Sequence, residues 1–275
     1  MVPYTLAVKG AVLAYSCLGS GPLLVTVPGA NGDAVIFNQT VPHMANNFTV
    51  CSYDRRGFSR SNYTEPNDLT MPVRLQTDAD DLAALIGHLS PGKPALVFGT
   101  SSGAIVSLEM LSRHPEAVSF LVAHEPPLTK SLGEAGAQVQ AVFANAEKAF
   151  FSEGIEAATQ AFLGPVDPSN PESVATHSVL ESPDRASNAA LFFAHEINHY
   201  TAHSFDTVAL QAFRDKLVFD KGDASTAPGT SMTDALAQSI GVAVEHTPGG
   251  HLGYTSKPVE FAAAIAEIFA AHGKL

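Results

Sequence analysis

Ser101 stands in Gly99-Thr100-Ser101-Ser102-Gly103, between an apolar run at 95–98 and a stretch where Ala104, Leu108 and Leu111 recur at helical spacing up to Pro115. A short apolar run bounded by proline and glycine is the pattern of a strand buried on both faces, and the change of period after Ser102 announces a helix. A chain that passes from strand to helix within one residue forces that residue into strained backbone angles. Its side chain then stands clear at the sheet edge beside a helix N-terminus, and the flanking glycines let neighbouring backbone pass close. A serine hydroxyl presented in this way is a candidate nucleophile. The bland alternative is a Gly/Ser-rich turn and nothing more.

A hydroxyl is a weak nucleophile until a base takes its proton, and the usual base is an imidazole held in one tautomer by a carboxylate. Of the eleven histidines, His251 has the best address, in Pro248-Gly249-Gly250-His251-Leu252-Gly253 after the last expected strand. Flanking glycines leave its ring room to reach across the top of a sheet. The loop Pro28-Gly29-Ala30-Asn31-Gly32 closes another apolar run and exposes backbone N–H groups, the material of an oxyanion hole.

These residues need a frame. Runs at 4–8, 11–18 and 23–27 suggest an antiparallel start to a sheet, with further strands at 48–53, 95–98, 118–124, 217–219 and 242–246. Helices are expected where Leu75, Leu82, Leu85, Ile86 and Leu89 share a face, at 235–240, and at the close, where Phe261, Ile265, Ile268 and Phe269 do so. Between the strands at 118–124 and 217–219 the pattern is helical throughout. Val139, Val142, Phe143, Ala146 and Phe150 mark one face and Ile155, Ala158 and Phe162 another; Gly164, Pro165, Pro168 and Pro171 then break the chain before helices at 191–203 and 208–213. The expectation is an α/β fold with a mainly parallel eight-stranded sheet, helices on both faces, a core made of 1–128 and 216–275, and an inserted helical cap over 129–215. Ligands of such sheets bind at the carboxyl ends of the strands, where every candidate lies.

At this point the chain resembles the α/β-hydrolase superfamily. The resemblance rests on Val-Pro-Gly-Ala-Asn-Gly at 27–32, Tyr-Asp-Arg-Arg-Gly-Phe-Ser at 53–59, the turn around Ser101, and the late Gly-Gly-His. It implies Ser101 as nucleophile, His251 as base and the backbone N–H groups of Ala30 and Ser102 as the oxyanion hole. The superfamily usually carries its acid a few residues after the penultimate strand, and there this chain has Ser225, preceded by Asp220 and Asp223. The other recurring place is the end of the strand after the elbow helix, where His124-Glu125-Pro126-Pro127 is found. Haloalkane dehalogenases and the fungal lactone hydrolases that open zearalenone are similar in carrying a glutamate here, as does a group of uncharacterised hydrolases with the same His-Glu-Pro-Pro signature. Glu125 is therefore preferred, with Asp223 and then Asp220 as alternatives. The lactonases carry a tryptophan over the substrate, and this chain has none.

The implied activity is hydrolysis of a carboxylic ester or lactone without a cofactor. Carbon–carbon bond hydrolysis and cofactor-free peroxidase chemistry use the same triad, and a hormone-style receptor would keep the triad for binding. Epoxide hydrolases and dehalogenases on this fold use an aspartate nucleophile, against which Ser101 argues. Aromatic residues of the cap, Phe192 and Phe193 foremost and with them His195, are expected to line an apolar substrate pocket. Asp54, beside Arg55 and Arg56 at a turn, is read as part of a structural ion pair.

One motif competes. His195-Glu196-Ile197-Asn198-His199 has the His-Glu-x-x-His spacing, which on a helix places two imidazoles on one face for a zinc ion. His203 follows without the glycine that turns the chain toward a third ligand. These residues are read as a polar helix face, and no metal is expected.

Composition narrows the rest. With 45% hydrophobic and 15% charged residues the chain is globular, and a net charge of -12 with no basic run excludes nucleic acid and anionic membranes as expected partners. The expected partner is a small apolar ester or lactone, a homodimer is left open, and the default location is cytoplasmic. Cys17 and Cys51 are read as small buried hydrophobes rather than a disulfide.

Overall fold

Alternating strands and helices fold as the pattern demands. In the computed structural model, which describes residues 4–64 and 74–275, the strands are β1 (Tyr4–Val8), β2 (Ala11–Leu18), β3 (Leu23–Val27), β4 (Thr49–Tyr53), β5 (Asn62–Tyr63), β6 (Ala95–Thr100), β7 (Val118–His124), β8 (Leu217–Gly222) and β9 (Val244–Thr247). Eight of them lie side by side in the order β1-β2-β4-β3-β6-β7-β8-β9, and a ninth, the two-residue β5, pairs with β2. β1 and β2 run antiparallel to their neighbours, while β3, β4, β6, β7, β8 and β9 pair in parallel. Residues 1–3 and 65–73 of the expected core lie outside the described residues.

The helices are α1 (Val41–Met44), α2 (Leu75–Leu89), α3 (Ser102–Arg113), α4 (Glu134–Glu153), α5 (Ile155–Leu163), α6 (Pro171–Leu180), α7 (Ala186–His195), α8 (Thr207–Leu210), α9 (Gly229–Ile240), α10 (Gly253–Ser256) and α11 (Pro258–Ala271). Because successive strand residues face opposite ways, β6 divides its side chains between two cores. Ala95 and Val97 join Leu82, Leu85, Ile105 and Leu108 of α2 and α3 on one face. Leu96 and Phe98 join Phe261, Ile265 and Phe269 of α11 on the other. Each such large side chain, fully buried, contributes about 1.5–3 kcal/mol, which is what holds the strand ends in register.

Every regular element between β7 and β8 is helical, and this insertion has an apolar cluster of its own, centred on Phe143, Phe192, Phe193 and Ile197. Two of its expected boundaries move. The helix expected over 191–203 ends at His195, and 196–202 continues as turns; the helix expected at 208–213 is one α turn followed by a 3-10 segment. The proline at 171, read as a break, instead opens α6. Asn170 caps that helix by accepting from the N–H groups of Glu172 and Ser173, and Pro171 occupies the first turn, where a missing N–H is harmless.

The cysteine reading is corrected. Cys17 of β2 and Cys51 of β4 are directly opposed in the antiparallel register and form a disulfide. Cross-strand pairing of this kind brings side chains together from positions 34 residues apart, which no local pattern reveals. Disulfides persist in oxidising compartments, and the pairing does not support the cytoplasmic default. Among the described residues, no helix is long and apolar enough to cross a membrane.

Candidate active site

β6 hands over to α3 at Ser101, whose φ of 54° and ψ of -127° belong to a region non-glycine residues rarely occupy. The tight turn depends on glycine at both sides. A Cβ on Gly103 would meet the carbonyl oxygen of Val27 at 2.3 Å, and one on Gly99 would meet Ser107 Oγ at 2.4 Å. The Ser101 N–H is tied to the His124 carbonyl at 2.9 Å, which fixes the turn against β7.

The end of β7 supplies the candidate acid. Glu125 follows its last residue and also holds a positive φ, 44°. Its two carboxylate oxygens have separate duties: Oε1 accepts from the Gly222 N–H at 3.0 Å and Oε2 from His251 Nδ1 at 2.6 Å. Burial alone would push this carboxyl up, but the hydrogen bond and charge of His251, the nearby His124 charge and the Ser225 hydroxyl hold it down at about 2.

The two alternative acids are elsewhere engaged. Asp220 is fully buried and receives His124 Nδ1 at 2.5 Å and the Thr247 hydroxyl at 3.0 Å. Asp223 sits at the surface and pairs with His246 Nδ1 at 3.2 Å. Neither contact involves His251. His124, which sequence reasoning passed over, stacks on His251 with ring centroids 6.0 Å apart and donates from Nε2 to the His251 carbonyl at 3.2 Å. Burial disfavours its charged form, but Asp220 outweighs this and, with Glu125 and the His251 carbonyl, raises its pKa. Both ring nitrogens face oxygens placed to accept, an arrangement that favours the imidazolium form.

The loop after β3 is shaped by Arg55. Its Nε donates to the Pro28 carbonyl at 3.0 Å and its Nη2 to the Gly29 carbonyl at 2.8 Å. In a trans peptide the N–H points opposite to the carbonyl, so drawing the Gly29 carbonyl toward Arg55 turns the Ala30 N–H the other way. Ser102, as the first residue of α3, has an N–H with no intrahelical carbonyl to meet. Arg55 is fully buried and compensated by Glu196 through two 2.7 Å contacts and by Asp78 at 3.0 Å. Its guanidinium stays charged because those carboxylates offset its loss of water.

Glu196, the glutamate of the His-Glu-x-x-His stretch, has both carboxylate oxygens engaged by Arg55. His199, beyond the end of α7, pairs instead with Glu147 at 2.9 Å. His195 is buried at the end of α7. Asp54 does form the expected ion pair, but with Arg60 at 2.7 Å; Arg56 pairs with Asp81 at 2.7 Å.

Ser101, His251 and Ala30 open on one cavity of about 580 Å³, walled by Ile36, Phe162, Leu163, Val179, Leu180 and Leu252. Phe192, Phe193 and His195 are not part of that wall. Phe192 packs behind Phe162 at 5.9 Å between centroids, and Phe193 is wholly buried among the insertion helices. The aromatic content of the segment was divided by packing, which sequence could not assign, and Phe162 is the ring that reaches the cavity. The signal for Arg55 was the Tyr-Asp-Arg-Arg stretch itself, and for α6 the Asn-Pro-Glu start at 170–172.

The profile of the Alpha/beta hydrolase family matches residues 24–264. The chain belongs to this family. An uncharacterised hydrolase of Bacillus subtilis, YraK, is 32% identical over 275 residues, covering 96% of this chain and 94% of that protein. A thermophilic esterase from Thermogutta terrifontis superposes with a TM-score of 0.75 at 18% identity, covering 98% of each chain. The enol-lactonase of Burkholderia xenovorans LB400 gives 0.71 at 17% identity, covering 97% of this chain and all 100% of that one. At such identities the solved structures establish the fold, and the α/β-hydrolase fold and hydrolase class follow from the family.

Proposed function

We propose that this hydrolase cleaves a carboxylic ester or lactone with an apolar acyl part, through an acyl-enzyme on Ser101. The observation that carries the reading is the 2.6 Å pairing of His251 with Glu125 beside the cavity onto which the strained Ser101 opens. In this reading Ser101 Oγ attacks the carbonyl carbon while its proton passes to His251 Nε2, and Glu125 stabilises the imidazolium. The Ala30 and Ser102 N–H groups receive the charge that develops on the carbonyl oxygen. Collapse expels the alcohol with the proton from His251, and a water, deprotonated by the same ring, releases the acid. The apolar wall supports a hydrophobic acyl group or lactone ring, since each buried methylene contributes about 0.8 kcal/mol. We take the helical insertion to be the cap over this cavity.

The test is turnover of p-nitrophenyl esters from acetate to octanoate, with a parallel panel of lactones and labelling by a fluorophosphonate. The expected result is stoichiometric label on Ser101 and a rise in kcat/KM with chain length. Ser101→Ala should lower turnover by about 10⁴–10⁶ while the fold survives. Unchanged turnover in that variant would overturn the serine mechanism.

A further inference from the structure

The loop that carries His251 is held from the opposite side by the helical insertion. Glu172, in the first turn of α6, accepts from the Gly250 N–H at 2.8 Å and the Leu252 N–H at 2.9 Å, the two residues flanking His251. It also accepts from the Ser256 hydroxyl at 2.7 Å. The glycine at 250 is explained by this contact: a Cβ there would lie 2.6 Å from Glu172 Oε2. Below the loop, His124 Nε2 donates to the His251 carbonyl at 3.2 Å, and Glu125 holds the ring. The far end of α6 reaches the other half of the site, because the Val179 carbonyl accepts from Asn31 Nδ2 at 2.9 Å in the loop of Ala30. One helix of the insertion therefore touches both the base loop and the oxyanion loop.

We propose that Glu172 is a positioning residue for His251, so that seating α6 on the core sets the base for catalysis; this rests on the function proposed above. A carboxylate is suited to the task because it can accept several N–H and O–H groups converging from one loop, and such charge-assisted bonds are stronger than neutral ones. Without it, the two amides beside His251 lose their fixed partner and the ring loses its anchored backbone. Misplacement of a base by about 1 Å lowers rate by about 10²-fold; Glu172 also lines the cavity, so the Gly250→Ala variant, which keeps its carboxylate, separates positioning of His251 from a direct contact with substrate.

The experiment compares wild type with Glu172→Ala, Glu172→Gln and Gly250→Ala by amide hydrogen exchange, steady-state kinetics on a p-nitrophenyl ester, and addition of formate. In Glu172→Ala, exchange at Gly250 and Leu252 should speed up about 10- to 100-fold, and kcat should fall about 10- to 100-fold with KM within about 3-fold. Formate, entering the vacated place, should restore part of kcat, which a general loss of stability would not allow. Gly250→Ala should show the same split, and the Glu172→Ala/Gly250→Ala double variant should lose no more than the worse single. Glu172→Gln keeps the shape and one acceptor oxygen, so it should fall between, and it decides the matter where the alanine variant does not fold. Unchanged exchange, or loosened amides with unchanged kcat, overturns the proposal. Activity surviving in Ser101→Ala would instead count against the serine mechanism, and the exchange arm would still report whether Glu172 holds the loop.

Discussion

Replacing Glu125 by Gln tests the acid by geometry as well as by charge. The carboxylate meets donors on both oxygens, the Gly222 N–H at 3.0 Å and His251 Nδ1 at 2.6 Å. A glutamine has one acceptor oxygen, and the Gly222 amide can only donate. With that oxygen turned to Gly222, the amide NH₂ faces His251 Nδ1 and makes it an acceptor. The ring proton then sits on Nε2, aimed at Ser101, and the base cannot take the serine proton. Loss of about 10³–10⁴ in kcat/KM is expected, or about 4–5.5 kcal/mol of transition-state stabilisation. The same change has a signature in stability. The gap between about 2 in the folded protein and the ordinary 4.5 corresponds to about 3 kcal/mol in favour of the carboxylate. Because the folded value is the lower one, this contribution is fully present above pH 4.5 and is lost as pH falls toward 2. The stability difference between wild type and Glu125→Gln should therefore shrink across that window, measured by denaturant titration at each pH. A variant keeping more than about a tenth of wild-type kcat/KM would refute the assignment, as would an Asp223→Asn variant that loses more.

Other outcomes follow from the placement of the remaining residues. Asp223→Asn should change kcat/KM by less than about 2-fold, because an exposed pair such as that with His246 contributes little. Phe162→Ala should alter the ranking of p-nitrophenyl esters by chain length, since its ring walls the cavity, while Phe193→Ala should keep the ranking and lower stability by about 3–5 kcal/mol in denaturant titrations. Dialysis against a strong chelator should leave turnover unchanged, because Glu196 is bound to Arg55 and His199 to Glu147; stoichiometric zinc by elemental analysis would contradict this.

Local pattern was enough for the elements that position Ser101, the candidate nucleophile. The apolar run at 95–98, the change of period after Ser102 and the glycines at 99 and 103 announce the strand, the helix and the strained turn, since each is a property of a few consecutive residues. The glycines around His251 marked the loop of the candidate base for the same reason. Among the candidate acids, the strand end singled out Glu125, but the partners of each are visible only in the tertiary structure, where the parallel neighbours β7 and β8 set Asp220 against His124 while Glu125 faces His251. Contacts between distant segments were beyond the pattern altogether. Cys17 meets Cys51 through antiparallel register, Arg55 meets Glu196 across 141 residues, and Glu172 meets Gly250 across 78. Likewise the phenylalanines of the insertion look alike in sequence, and packing alone put Phe162 at the cavity and Phe193 in the core. Sequence determines what a residue can do and which way its own segment runs; which partner it finds depends on how the segments pack, and that is a property of the folded chain.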